Sequence, residues 1–354
     1  MTETPSNQPR KRRILDRPLD RGRLTVDFEP ADYGMAPLAL EVLVPGQPSP
    51  ADLYLPLYDR DKRKVVMETA SEQGEEFKAV WRDRLLTAEQ RLVYVKLEQV
   101  EQLQDYFQRF TPQIMEDTSR PLRQKARVVQ ELALFNLNTF FNAGETTPRA
   151  LKNLVGRVQQ TVTRLTADTQ VLTRLSGLLR TDYSIYTHSV NVAMLTMALA
   201  RHLGFNEASV HAFGVGAMMH DLGRIRMPPG LITKTGPLTE KEMAQVRQHP
   251  YLGYQMLLQI GAVPYDALMI VLHHHENADG SGYPHGLKAE RTPVPARLVR
   301  LADAFDAMTS ERPHQDARSA YEAASTMIQD SESVFGKDLV PSFVRFLGSP
   351  FVVS

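Results

Sequence analysis

Seven residues in the second half of the chain are of types that do chemistry together: His188, His220, Asp221, His249, His274, His275 and Asp303. They lie on separate predicted helices, beside apolar faces that should point inward. His274 and His275 close the apolar run Leu268–Leu272, and Asp303 lies within the largely apolar stretch Leu298–Phe305. Polar groups on buried faces need partners. Imidazole is the commonest metal ligand, so shared metal ions would meet that need. Seven donors are too many for one tetrahedral ion, which points to two. Imidazole with carboxylate suits Fe, Mn, Ni, Co or Zn. Two ions ~3.5–4 Å apart are the usual device for hydrolysing phosphate esters. The adjacent pair His220-Asp221 adds a geometric condition. Neighbours on a helix point about 100° apart, so both reach one site only at a helix end, and Gly223 supplies such an end.

The composition around these residues narrows the classes. All 10 histidines fall at or after position 188. Cysteine is absent, which excludes disulfide scaffolds, thiolate zinc sites and cysteine nucleophiles. Lys+Arg and Asp+Glu both number 41, which argues against a protein that coats nucleic acid. A hydrophobic content of 42% is enough to build cores. No apolar run approaches the ~20 residues that span a bilayer. The polar start has no secretory pattern, so the expectation is a cytoplasmic protein with no membrane span.

The elements that position the donors divide as follows. Residues 1–23 carry a basic excess, from Arg10 to Arg23, with three prolines, and are expected to be a disordered tail. Residues 24–118 form a small N-terminal α+β module for regulation or interaction. In it Leu53–Leu57 and Leu92–Val95 are predicted strands, and 69–86 and 97–110 predicted helices. Residues 119–180 are a predicted helical connector that also suits a homodimer contact. Residues 181–354 are predicted all-helical: a helix from His188 stopped by Gly204, one capped by Asn206, one opened by a capping box at Thr239 and running through His249, then 267–275, 295–310 and 319–329. The fold class is thus α+β overall, an α+β module followed by an all-α bundle.

The order and spacing of His188-Ser189-Val190-Asn191, His220-Asp221-Leu222-Gly223, His249-Pro250, His274-His275-Glu276, Asp279-Gly280-Ser281-Gly282-Tyr283-Pro284, Asp303 and Arg312-Pro313 resemble the HD-GYP domain family, from near residue 150 onward. The resemblance implies an HD-type helical bundle and a bacterial phosphodiesterase. It would open cyclic di-GMP to linear pGpG and, in many members, GMP. By position it implies that Asp221 bridges two divalent ions, Fe or Mn foremost and Ni, Co or Zn as alternatives. His188, His220 and Asp303 would hold one ion, and His249, His274 and His275 the other. Asp221 and Arg224 would act in catalysis; Arg224, Gly282, Tyr283, Pro284 and Arg312 would meet the substrate. Glu276 and Asp306 are candidate orienting carboxylates.

Three departures from the family pattern bear on function. Arg224 stands where the family usually has Lys; it can clamp a phosphate but cannot deliver a proton. His314 and Gln315 follow Arg312-Pro313 in place of a tyrosine and a basic residue. Ser184 stands where some members carry a Glu for a third metal. The rival reading is a weak or inactive domain that serves as a cyclic di-GMP receptor or as a contact for GGDEF-domain partners. A different cyclic dinucleotide, such as cyclic GMP-AMP, is a further alternative.

Overall fold

Alternating Leu and Tyr in Leu53-Tyr54-Leu55 place leucines on one face of an extended chain, and that face is buried. In the computed structural model residues 14–16, 19, 24, 28–167, 184–232, 234, 236–311 and 316–348 are described. The chain divides into two compact units, residues 1–118 and 119–354. The first holds four antiparallel strands, β1 (Met35–Ala39), β2 (Leu53–Asp59), β3 (Lys64–Ser71) and β4 (Leu92–Lys96), in the order β1-β4-β2-β3. Helices α1 (Ala79–Thr87) and α2 (Val100–Glu116) complete it. Trp81 and Leu85 of α1 and Leu103, Phe107 and Phe110 of α2 are buried.

One expectation for this unit is corrected. The helix predicted over 69–86 is a strand at its start and a helix only from Ala79. Val65, Val66 and Thr69 are β-branched and pair with β2, and Gly74, at φ 79°, breaks the chain before α1. Of the tail expected over 1–23, the described residues are mainly Ile14–Asp16, which form a turn of 3-10 helix. Leu15 there is fully buried, its carbonyl accepts from Arg84, and Asp16 accepts from Trp81 Nε1 at 3.1 Å. The helix predicted from Leu97 opens with a 3-10 turn, Leu97–Gln99.

The second unit is helical: α3 (Leu122–Ala143), α4 (Pro148–Ala167), α5 (Ile185–His202), α6 (Glu207–Met218), α7 (Glu240–Val246), α8 (His249–Leu258), α9 (Tyr265–His273), α10 (Val294–Thr309), α11 (Ala320–Gln329) and α12 (Val340–Leu347). The described part of the expected connector is packed: α3 lies on α4 and α5, and α4 on α6. Around the site α5 packs on α6 and α10, and α9 on α6, α8 and α10. Asn206 and Thr239 cap their helices as the sequence predicts, and Ser319, expected as the first helical residue, caps α11; Thr239 and Ser319 do so through full capping boxes. The helix expected to run through His249 is instead two. Arg247 closes α7, and α8 begins at His249 with Pro250 in its first turn, where a missing N–H costs nothing. Among the described residues no helix is long and apolar enough to cross a membrane.

Candidate metal centre

Helix ends deliver most of the donors. His188 stands in the first turn of α5 and Asp303 in the middle of α10. His220 and Asp221 occupy the turn just after α6, before the 3-10 helix Leu222–Arg226. His249 is the first residue of α8, and His274 caps α9 with His275 next. The structure brings all seven together in two groups. Donor atoms of Asp221, His249, His274 and His275 lie within 4.8 Å of one another, as do those of His188, His220 and Asp303. Two contacts join the groups. Asp221 Oδ2 lies 3.5 Å from His220 Nε2 while its Oδ1 lies 3.2 Å from His249 Nε2. Asp303 Oδ1 lies 3.1 Å from His188 Nε2 while its Oδ2 lies 4.0 Å from His275 Nδ1.

The outer nitrogens decide what the inner ones can do. Nδ1 of His220, His249 and His274 faces the carbonyl three residues back, on Ala217, Val246 and Val271, at 2.7, 2.7 and 3.0 Å. A carbonyl only accepts, so each Nδ1 carries the hydrogen, and in that tautomer each Nε2 turns a bare lone pair inward. Nε2 of His249 and Nε2 of His274 are only 3.1 Å apart. Two lone pairs at that distance repel unless a cation lies between them. Both carboxylate oxygens of Asp221 are buried and accept no well-formed hydrogen bond, although Arg224 Nε stands 2.8 Å from Oδ1. Buried acceptors left this way are costly. Facing lone pairs beside an unsatisfied carboxylate are the donor set of a divalent cation, so the residues fit metal ions.

Burial shapes the charges. It disfavours imidazolium and holds His274 and His275 well below the ordinary histidine value, with His220 lowered too. Burial also opposes the anion of Asp221, yet the Arg224 guanidinium and His220 beside it keep its carboxyl well below the usual carboxylate range. Asp303 behaves likewise, held down by His188. His188 is the exception among the rings. Burial pushes it down, but Asp303 on one nitrogen and Asp306 on the other raise it to about 10. Asp306 Oδ2 is 2.7 Å from His188 Nδ1, and Oδ1 accepts from Asn191 Nδ2 at 2.8 Å. A carboxylate thus aims this histidine.

The loop after α9 closes one side. Tyr283 N donates to the His275 carbonyl at 3.1 Å, and the two rings lie 4.8 Å apart. Burial pushes the Tyr283 hydroxyl up, so it stays protonated. Glu276 orients the loop rather than a site histidine: its oxygens accept from the amides of His285 and Leu287 at 2.8 and 2.9 Å. Gly282 is needed for a different close approach from the one expected toward a ligand. A Cβ there would stand 2.3 Å from Asn277 N and 2.4 Å from His275 O, so the approach is to the chain's own backbone. Pro284 follows through a cis peptide. Arg224, in the 3-10 helix after Asp221, is half-buried beside the centre. Arg312, with His314 and Gln315, lies outside the described residues.

Two neighbours were not foreseen. Arg300 Nη1 lies 3.8 Å from Asp303 Oδ2 and its guanidinium donates to Asn277 Oδ1; its spacing of three from Asp303 on one helix was the available signal. Arg247 lies over the Tyr283 ring at 5.8 Å, a contact that spans two separate elements.

Comparison with known proteins agrees with this geometry. The family described as HD domain matches residues 151–339, more than half of the chain. The cyclic di-GMP phosphodiesterase PA4108 of Pseudomonas aeruginosa is 37% identical over 177 residues, covering 50% of this chain and 42% of that one. The cyclic di-GMP phosphodiesterase response regulator RpfG of Xanthomonas campestris is 37% identical over 154 residues, covering 42% of this chain and 39% of its own. The chain therefore spans about two fifths of the length of these relatives. Bd1817, an HDG"Y"P protein from Bdellovibrio bacteriovorus, shares the fold with a TM-score of 0.64 at 20% identity, over 89% of this chain and 100% of that one. With its donors in place and Asp279–Pro284 closing the site, the chain belongs to the HD domain family.

Proposed function

We propose that this chain is a metal-dependent phosphodiesterase that hydrolyses cyclic di-GMP to linear pGpG and onward to GMP. The observation that carries it is the pair of donor groups joined by Asp221, whose two oxygens face His220 and His249. In this reading His188, His220 and Asp303 would hold one divalent ion, Fe or Mn, and His249, His274 and His275 a second, with Asp221 placed to serve both. Such ions would supply Lewis-acid activation and charge neutralisation for phosphate-ester hydrolysis. The rest falls to the chain. Asp306 holds His188 and backbone carbonyls hold His220, His249 and His274, so these imidazoles are preorganised. Arg224, half-exposed beside Asp221, takes a non-bridging phosphate oxygen through its guanidinium. It cannot protonate the leaving ribose oxygen, because its pKa is too high. Gly282, Tyr283 and Pro284 shape the substrate side, with Arg312 as an added phosphate contact. The names of the relatives support the substrate.

The setting proposed is cytoplasmic bacterial signalling. The first unit is proposed to regulate the second, with residues 119–180 available for a homodimer and the Tyr-Pro loop for a GGDEF-domain partner. The test is to load purified protein with iron or manganese, supply cyclic di-GMP and separate products by chromatography. Turnover that disappears in His220→Ala is expected. Intact cyclic di-GMP with both proteins sinks the reading. Arg224 favours one rival, a receptor that binds without turnover, which tight binding with no product would identify. Turnover of cyclic GMP-AMP in preference to cyclic di-GMP would change the substrate but not the reaction.

A further inference from the structure

A third group of donors lies outside the centre just described. His273, Glu276 and His285 present nitrogen and oxygen atoms within 4.8 Å of one another. None of the three belongs to the seven donors. His273 ends α9, Glu276 follows three residues later, and His285 comes from the loop just beyond Tyr283-Pro284. The His273 and His285 rings lie 5.3 Å apart.

Two details separate this group from a chance meeting of side chains. His273 is 8% exposed, and its Nδ1 has no hydrogen-bond partner. That atom lies 3.6 Å from Glu276 Oε1, too long for a hydrogen bond. A buried ring nitrogen therefore faces a buried carboxylate without bonding to it. The Glu276 carboxylate is itself 0% exposed, and each oxygen accepts one backbone amide, from His285 and from Leu287. Each oxygen keeps a further lone pair, because a carboxylate offers about four. Among the described residues no Lys or Arg forms an ion pair with it. Such amide bonds are the outer support that orients ligating carboxylates.

The geometry points to a third divalent-cation site, formed by His273, Glu276 and His285, that takes a borderline ion such as Zn2+. Imidazole and carboxylate together suit that class. Bonds of about 2.1 Å in a tetrahedron put donors about 3.4 Å apart. His285, exposed and on a loop, is the member that moves to close the gap. Three protein donors leave a position for water, so the ion exchanges readily. It would also have a consequence for the neighbouring centre. An ion held by both His273 and His285 ties the loop that carries Tyr283 to the end of the helix that delivers His274 and His275.

The experiment uses the full chain and Zn2+ alone, with no nucleotide. Equilibrium dialysis followed by elemental analysis should find one Zn2+ more per chain in wild type than in His285→Ala. Repeated in the Asp221→Asn background, which weakens the main centre, the same one-ion difference should persist. Zn2+ should also slow carbethoxylation of His285, read by mass spectrometry of its peptide. Equal Zn2+ content with and without His285 overturns the site, and so does a modification rate that Zn2+ leaves unchanged. Hydrolysis is not read at any step, so a failure here is distinct from a failure of the proposed phosphodiesterase activity.

Discussion

Gly223→Ala tests whether the centre depends on one close backbone contact. Gly223 follows Asp221 by two residues, and the 3-10 helix that holds it packs on α8, which begins with His249. A Cβ at position 223 would stand 1.9 Å from the His249 carbonyl oxygen and 2.6 Å from Gly253 N. Both obstacles are backbone, so no side chain can swing aside. Restoring even a 3.0 Å contact moves the two segments apart by about 1.1 Å. That is twice the ~0.5 Å within which a site must be held. It acts along the contact that sets Asp221 Oδ1 3.2 Å from His249 Nε2. Overpacking of this kind costs about 1–3 kcal/mol. At about 2–4 °C per kcal/mol for a domain of this size, the melting temperature should drop by about 2–12 °C. Metal affinity should fall at least about tenfold, the scale seen when support for a ligand is lost. Circular dichroism melts and competition with a chelator read the two effects. A melting temperature within 1 °C of wild type, with unchanged metal retention, would refute the reasoning.

Other outcomes follow from the same geometry. Asp306→Asn removes the anion that aims His188, and metal affinity should drop about 10–100-fold; unchanged affinity in a chelator titration would show that His188 needs no such support. His188, raised to about 10 from 6.5 in the metal-free protein, is protonated at neutral pH. Its stabilising contribution is complete below pH 6.5 and is lost as the pH rises through about 10. Loading should release about one proton at pH 7.5, and calorimetry in buffers of different ionisation enthalpy would count it; a count of zero contradicts the assignment. Ser319→Ala dismantles the capping box of α11 and should cost about 1 kcal/mol in denaturant melts with metal content unchanged.

Much of the second unit was legible because its signals are local. Asn206 and Thr239 satisfy helix amides a few residues away, so their role is readable wherever the helix packs. The donors were legible because imidazoles beside apolar runs need partners that only a few chemistries supply. The first unit was harder for a physical reason. Lys64–Ser71 becomes a strand only by pairing with β2, so the partner decides what propensity leaves open. Some features belong to packing alone. The 3.1 Å approach of His249 Nε2 to His274 Nε2 depends on α8 meeting α9, which Gly253 makes close enough, since a Cβ there would stand 3.0 Å from Val271. The clasp of Asp306 on His188 joins α10 to α5 across 118 positions. Residue types and their order determined which atoms are able to bind a cation. The tertiary structure decided which lone pairs face one another, because that depends on how closely helices approach, to a fraction of an ångström, and contacts far apart in the chain set that approach.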